Sequence, residues 1–372
     1  MRRHAVPPDF GRDVRCILGL PFDVVTLAGA ERQIRRAANE HRRCLLSTPN
    51  LNFAVQCLDD HEFRSSILQS DLNVADGWPL LLVGRLMGCP LPERVAGATL
   101  FESLCSTPAP PVRIYFFGGP EGVAMRACER VNASARGVEC VGYHSPGFGS
   151  VEQMSSEDVI QRINGANPDF LVVSLGAKKG QQWIMRNRSR ITAPVVSHLG
   201  AVVNFAAGVV RRAPAWVQRS RLEWLWRVLQ EPALWRRYVQ DGLAFLRILL
   251  VNVVPLSLHL RMHAPSSADL TKAELCVEQS DEAVLIRPVG AWTLQNVELL
   301  RSAFRQFATD SRTLNVDLSA LTYADSAVLG TLCIAYGWRQ MNGQGFEITG
   351  IRPQVRRLFS LAGAEYLLVK DH

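Results

Sequence analysis

The sequence predicts an α/β chain in three parts: a doubly wound parallel sheet over residues 1–210, a basic helical appendage over 211–260, and a small second α/β domain over 271–372. Three observations lead there. Between Pro111 and Leu199, short runs that are apolar throughout alternate with longer amphipathic ones, the pattern of parallel strands covered on both faces by helices. After Arg211 the texture turns basic and rich in tryptophan. Past a Ser, Ala and Pro-containing stretch at 261–270, expected to be a linker, a fresh alternation of strands and helices begins. At 372 residues the chain exceeds the usual single-domain span, and its 48% apolar content can fill more than one core.

The elements follow in order. "VRIYFFGG" (112–119) reads as a strand, followed by a helix over 121–133. "VECVGYH" (138–144) is the next strand, with a helix over about 156–163. "PDFLVVSLG" (168–176) precedes a helix across "QQWIMRNRSR", and "APVVSHLG" (193–200) closes a Rossmann-like series. In the last hundred residues, "ELCVEQ" and "AVLIRPVG" read as paired strands and about 294–308 as a helix. "TLNVDLSAL" is then a strand, "DSAVLGTLCIAYGWRQM" a helix, "FEITG" a short strand and "QVRRLFSLAGA" a final helix.

From Arg211 to Arg247 there are eight Arg against three acids, together with Trp216, Trp224, Trp226 and Trp235. Leu222, Leu225, Trp226 and Leu229 share helical spacing, which fits ordinary helix packing. Arginine alternating with tryptophan beside an apolar tail also fits an interfacial membrane helix. A spanning helix is not expected: the most apolar run, Ile248 to Leu258, is 11 residues long and contains Pro255, short of the ~20 needed. Nucleic-acid binding is set aside, because neither a recognised fold nor a stacking platform accompanies the charge. The nine cysteines are odd in number and form no CxxC pair, so they read as free thiols of a reducing cytoplasm, without a zinc site. "MRRHAVPPDFGRDVR" has no apolar core behind its arginines and does not read as a secretory signal.

Three features could carry chemistry. Asp76 and Gly77 open the apolar segment "NVADGWPLLLVGRLMG" (73–88); the carboxylate either sits at the first turn of a helix or faces a pocket. Gly118, Gly119 and Gly122 in "FFGGPEGVA" could let the backbone approach a phosphate, or form a plain turn. His198 reads as a strand-end histidine, since no partner spacing supports catalysis.

Taken as a set, residues 48–237 resemble the WecG/TagA/CpsF glycosyltransferases. The motifs are "TPNLNF" (48–53), "ADGWPL" (75–80), "ERVAGATLF" (93–101), "FFGGPEG", "GFGS" (147–150), "LGAKKGQQWI" (175–184) and "RRAPAWVQRSRLEWLWRVLQEPALWRRY". The chain departs from the family at Lys178, Lys179, Gly180 and Gln181, where many members carry Pro-Lys-Gln-Glu, and at Asn204, where many carry Asp. The resemblance implies inverting transfer from a UDP-sugar donor to a polyprenyl-diphosphate-linked acceptor at the cytoplasmic face of the cell membrane. It makes Asp76 the base, with Thr48 and Asn50 beside it and Gly77, Gly118, Gly119, Gln181 and Asn204 contacting substrate. No Asp-x-Asp motif occurs, so metal independence is expected, with the diphosphate charge met by a pool of arginines: Arg94, Arg212, Arg219, Arg221, Arg227, Arg236 and Arg237. The appendage would close over the site and meet the membrane surface. It resembles the exopolysaccharide branch more than the N-acetylmannosamine branch.

Residues 273–368 resemble the STAS domain, through "LNVDLSALTYADSAVLGTL". Ala327 stands where phosphorylated members carry Ser or Thr, and Ser326 reads as a helix N-cap. The implied role is regulation or binding of a protein partner, and deletion of 265–372 is expected to spare catalysis. The alternative reading is an inactive nucleotide- or lipid-sensing scaffold.

Overall fold

The computed structural model describes residues 7–210, 212–214, 216, 217, 220, 222–232 and 235–368; Arg219 and Arg221 lie outside the described residues. A hairpin, β1 (Val14–Ile17) and β2 (Leu20–Asp23), precedes the main sheet. That sheet holds β3 (Cys44–Ser47), β4 (Leu72–Asn73), β5 (Val112–Gly118), β6 (Val138–His144), β7 (Phe170–Ser174) and β8 (Val195–His198). All neighbours run parallel, in the order β4-β3-β8-β7-β5-β6. One face is covered by α1 (Leu27–Asn39), α5 (Gly97–Ser106), α6 (Val123–Ser134) and α9 (Val202–Ala206), through residues such as Ile34, Leu100, Ala127 and Val203. The other is covered by α7 (Glu157–Gly165) and α8 (Ala177–Asn187), through Ile160 and Trp183. Successive residues of β5 serve opposite faces: Phe116 meets Phe101, while Phe117 stacks on Trp183 at 4.4 Å. A strand buried on both sides is apolar along most of its length, which is why the apolar runs were readable.

Between these elements lie α2 (Leu51–Asp59), α3 (His61–Leu68) and α4 (Trp78–Leu86). The appendage contributes α10 (Glu223–Gln230) and a 28-residue helix, α11 (Trp235–Met262). By length and composition alone α11 could cross a membrane, which corrects the expectation that no helix of that reach exists. Pro255 does not end it. A single π turn at Leu249–Val253 widens the helix just before the proline, and such a turn relieves the clash that proline makes with the preceding turn. The helix also reaches past the apolar run at both ends. In the stretch expected to be a linker, α11 continues to Met262 and α12 (Ser267–Thr271) follows, with Ser266 and Asp269 forming a capping box.

The C-terminal domain has a five-stranded sheet: β9 (Glu274–Gln279) pairs antiparallel with β10 (Ala283–Trp292), and β12 (Leu321–Ala324), β10, β11 (Thr313–Asp317) and β13 (Phe346–Thr349) lie parallel in that order. Its helices are α13 (Val297–Gln306), α14 (Ser326–Met341) and α15 (Pro353–Leu361). Asp325, not Ser326, caps α14, accepting from the Ala327 and Val328 N–H groups at 2.8 and 3.1 Å. Ser326 is the first helical residue and is 7% exposed, because this end of α14 is covered by the first domain.

The two domains share one continuous apolar core running from Phe10, Ile17 and Phe22 through Phe63 to Trp292, Phe304 and Phe359. Helix α14 is buried along nearly its whole length between its own sheet and the β1–β2 hairpin. Two glycines permit the approach: a Cβ at Gly330 would lie 3.1 Å from Val14 and 3.2 Å from the Cys16 nitrogen, and one at Gly337 would lie 2.6 Å from the Leu68 carbonyl. Polar contacts also cross the seam. Ser65 donates to Gln340 at 2.7 Å, the Tyr366 hydroxyl to the Gly19 carbonyl at 2.8 Å, and Arg301 faces Asp13 at 3.6 Å.

Candidate active site

Thr48 follows β3 and Asp76 follows β4, so parallel pairing of these strands brings both residues to the same sheet edge. The Asp76 N–H donates to the Pro49 carbonyl at 2.9 Å, and the Val95 N–H to the Ala75 carbonyl at 3.0 Å, tying three loops together. Asp76 does not cap the helix that follows it; Gly77 is the N-cap of α4, at φ 155°. The carboxylate instead lies against the N-terminus of α5, where the Gly97 N–H approaches it at 3.4 Å. It opens on a pocket of about 140 Å³ whose walls include Thr48, Gly97, Leu199, Phe205, Arg212 and, from α10, Glu223, Trp226 and Arg227.

Electrostatics mark Asp76 out. Burial is the largest influence and pushes its pKa up to about 6; Arg94 and the Gly97 N–H pull the other way, and Glu223 adds to the rise. Arg94 forms a forked pair with Glu223, at 2.8 and 2.9 Å, across 129 positions of sequence. Burial works against the Arg94 charge, but that pair outweighs it and holds the guanidinium more firmly protonated than usual. Arg212 pairs with Glu102 and donates to Thr99, and burial lowers its pKa. The buried Nε of Arg227 has no hydrogen-bond partner among the described residues, and an unpaired buried donor is costly unless a ligand answers it.

The other expected residues are spread more widely. Asn50 caps α2, its side chain accepting from the Phe53 N–H at 3.1 Å, and its Cβ lies 3.9 Å from where a Gly77 Cβ would stand. Gln181 is 1% exposed and donates to Ser47 at 3.1 Å; it lines a separate hollow of about 730 Å³ between α3, α8 and α14, away from Asp76. The altered run is occupied structurally: Lys178 pairs with Asp60, Lys179 donates to the Gly149 carbonyl, and Gly180 lies against His198. Gly118 packs so closely on β7 that a Cβ would fall 2.5 Å from the Ser174 carbonyl, and a Gly119 Cβ would fall 3.3 Å from Val203. Neither lines the Asp76 pocket, because the turn closes onto the sheet and α9. Asn204 lies on α9, beside Val203 and Phe205. Arg237 and Arg236 lie on α11 over the rings of Tyr238 and Trp235, at 5.3 and 5.7 Å. His198 is buried, its Nε2 2.6 Å from the Leu175 carbonyl, and desolvation lowers its pKa.

Sequence reasoning missed Glu223, Trp226 and Glu102. Glu223 stood inside a quoted motif, and its acidity amid arginines was the available signal. Leu222, Leu225 and Leu229, whose spacing fitted packing, are 41%, 39% and 71% exposed, so their helix turns that face outward.

A family model described as "Glycosyl transferase WecG/TagA/CpsF family" matches residues 15–257, and one described as "Mlab, STAS domain" matches 275–370. Among similar curated proteins, an N-acetylglucosaminyldiphosphoundecaprenol N-acetyl-beta-D-mannosaminyltransferase of Bacillus spizizenii is 29% identical over 200 residues, covering 54% of this chain and 76% of that one. The protein of that name from Staphylococcus aureus is 24% identical over 224 residues, covering 59% and 85%. Among solved structures, the unphosphorylated anti-sigma factor antagonist SpoIIAA is 18% identical with a TM-score of 0.24, covering 27% of this chain and 89% of that one. An anti-sigma factor antagonist from Mycobacterium paratuberculosis is 24% identical with a TM-score of 0.25, covering 28% and 87%.

Proposed function

The chain belongs to the WecG/TagA/CpsF glycosyltransferase family, with a STAS domain fused behind it, and from that premise we propose that it moves a hexose or N-acetylhexosamine from a UDP-sugar to a polyprenyl-diphosphate-linked saccharide. The relatives' names point to an acceptor whose first sugar is carried on undecaprenyl diphosphate. One observation carries the proposal: a carboxylate with its pKa pushed up to about 6 faces a pocket whose cations are arginines. In the reaction the acceptor oxygen bonds to the anomeric carbon, the bond from that carbon to the diphosphate breaks, and UDP leaves with the electron pair. Asp76 takes the hydroxyl proton, a role that suits a base whose pKa lies near neutrality. Arg94, Arg212 and Arg227 answer the leaving diphosphate, for which a planar fork of donors is well shaped.

A screen of UDP-sugars against a soluble polyprenyl-diphosphate saccharide analogue, with and without chelator, tests the reading. Transfer of at least one sugar, unchanged by chelator, is the expected result. UDP binding without transfer to any acceptor would favour the sensing scaffold instead.

The membrane assignment rests on α11. Val239, Leu243, Leu246, Leu250, Val254 and Leu258 recur at helical spacing and are all 44–65% exposed, while Ile248, Val253 and Leu256 on the other side are buried in the protein. A helix docked along one side and apolar on the other fits lying in the bilayer surface, with Arg236, Arg237 and Arg247 toward headgroups. Each exposed leucine contributes about 2 kcal/mol on burial. Leu243→Glu with Leu250→Glu should therefore lower the affinity for anionic liposomes, read by flotation, by roughly a thousandfold; unchanged flotation would refute the assignment.

A further inference from the structure

In the free protein this site is closed on itself. Its pocket of about 140 Å³ is small beside the roughly 300–1,000 Å³ of sites that enclose cofactor-sized ligands. Helix α10 takes up the missing space, since Glu223, Trp226 and Arg227 all form its wall. Glu223 gives both carboxylate oxygens to the Arg94 fork, the contact that two oxygens of a diphosphate would make. Arg212 already has Glu102 and Thr99, and the buried Arg227 Nε has no partner among the described residues. The site thus holds one carboxylate where a substrate anion belongs and one donor still waiting for it.

Resting on the reading that a substrate diphosphate binds these arginines, we propose that Glu223 is a surrogate anion that holds Arg94 in its receiving orientation and surrenders it on substrate entry, letting α10 withdraw and the pocket open. Exchange of one anion for another keeps Arg94 paired throughout, and it spares the incoming diphosphate a fixed like charge beside it. Glu223 acts through Arg94 and is therefore a positioning residue. Among the described residues, the charged groups facing Asp76 are Arg94, Glu223, Arg227 and Arg212, of which Glu223 is the negative one. Its departure leaves Asp76 facing cations and the bound diphosphate.

The test uses the full chain and two probes, UDP and a soluble short-chain prenyl diphosphate, titrated by calorimetry into wild type, Glu223→Gln and Arg94→Ala. Glu223→Gln keeps the shape and weakens the pair with Arg94, so it should bind at least one probe roughly tenfold tighter; which probe responds identifies whether donor or acceptor displaces the carboxylate. The acid limb of kcat/KM, which reports the free enzyme, should move to lower pH in Glu223→Gln, while that of kcat stays in place. Equal or weaker binding of both probes by Glu223→Gln, with Arg94→Ala impaired, overturns the surrogate role and leaves the arginine reading standing. Undiminished binding of both probes by Arg94→Ala sinks the parent reading itself.

Discussion

Asp76→Asn is expected to slow sugar transfer by roughly 10²–10⁴-fold, the usual contribution of a general base, while yielding a chain that is more stable than wild type at neutral pH. Both effects have one cause. Burial holds the Asp76 pKa near 6, against an ordinary 3.8, so folding disfavours the charged form. Below about pH 4 the carboxyl is protonated in folded and unfolded chains alike, and the substitution should change stability little. Between about pH 4 and 6 the unfolded chain ionises first, and wild type loses stability as pH rises. Above 6 the full cost is present, at most roughly 3 kcal/mol and less where water reaches a half-buried group. Melting curves at pH 4 and pH 7.5 should therefore coincide at the lower value and separate at the higher one, with the Asn variant melting later. Wild-type activity should fall as pH drops through about 6. Undiminished turnover in the variant would remove Asp76 from the chemistry; a melting advantage equal at both pH values would place its cause outside ionisation.

Cutting the chain after residue 264 is expected to cost most of its stability, which reverses the expectation that the STAS domain can be deleted freely. Val14, Cys16 and Leu18 on the hairpin are 0–5% exposed and belong to the core shared with α14. Exposing three or four such side chains costs about 2 kcal/mol each, a large part of the 5–15 kcal/mol typical of a folded domain. The truncated chain should precipitate or melt more than roughly 10 °C lower. Gly337→Val offers the gentler version: its Cβ would stand 2.6 Å from the Leu68 carbonyl, and overpacking of this kind costs about 1–3 kcal/mol. A truncated chain with wild-type melting and turnover would show the shared core to be dispensable.

The path from that seam to the site is short. Arg12 pairs with Asp23 on β2, and the Asp23 carboxylate accepts from the Asn73 N–H at 2.6 Å, three residues before Asp76. Helix α14 of the STAS domain packs on this same hairpin, which in turn lies against the strand that precedes the proposed base.

What the sequence determined by itself was whatever a segment states about its own burial. Strands covered on both faces are apolar along most of their length, so β5 to β8 stood out. The "ADGWPL", "TPNLNF" and "ERVAGATLF" motifs singled out Asp76, Thr48 and Arg94 through the family resemblance, and the fold ties the three loops that carry them together. Tertiary structure alone decided which surfaces meet. It paired Arg94 with Glu223, turned Gln181 away from Asp76, carried α11 through Pro255, and buried α14 against a hairpin more than three hundred residues earlier in the chain. Periodicity records that a face is hidden but not what hides it; the partner is chosen by shape and charge between segments far apart in sequence, and no single segment carries that information.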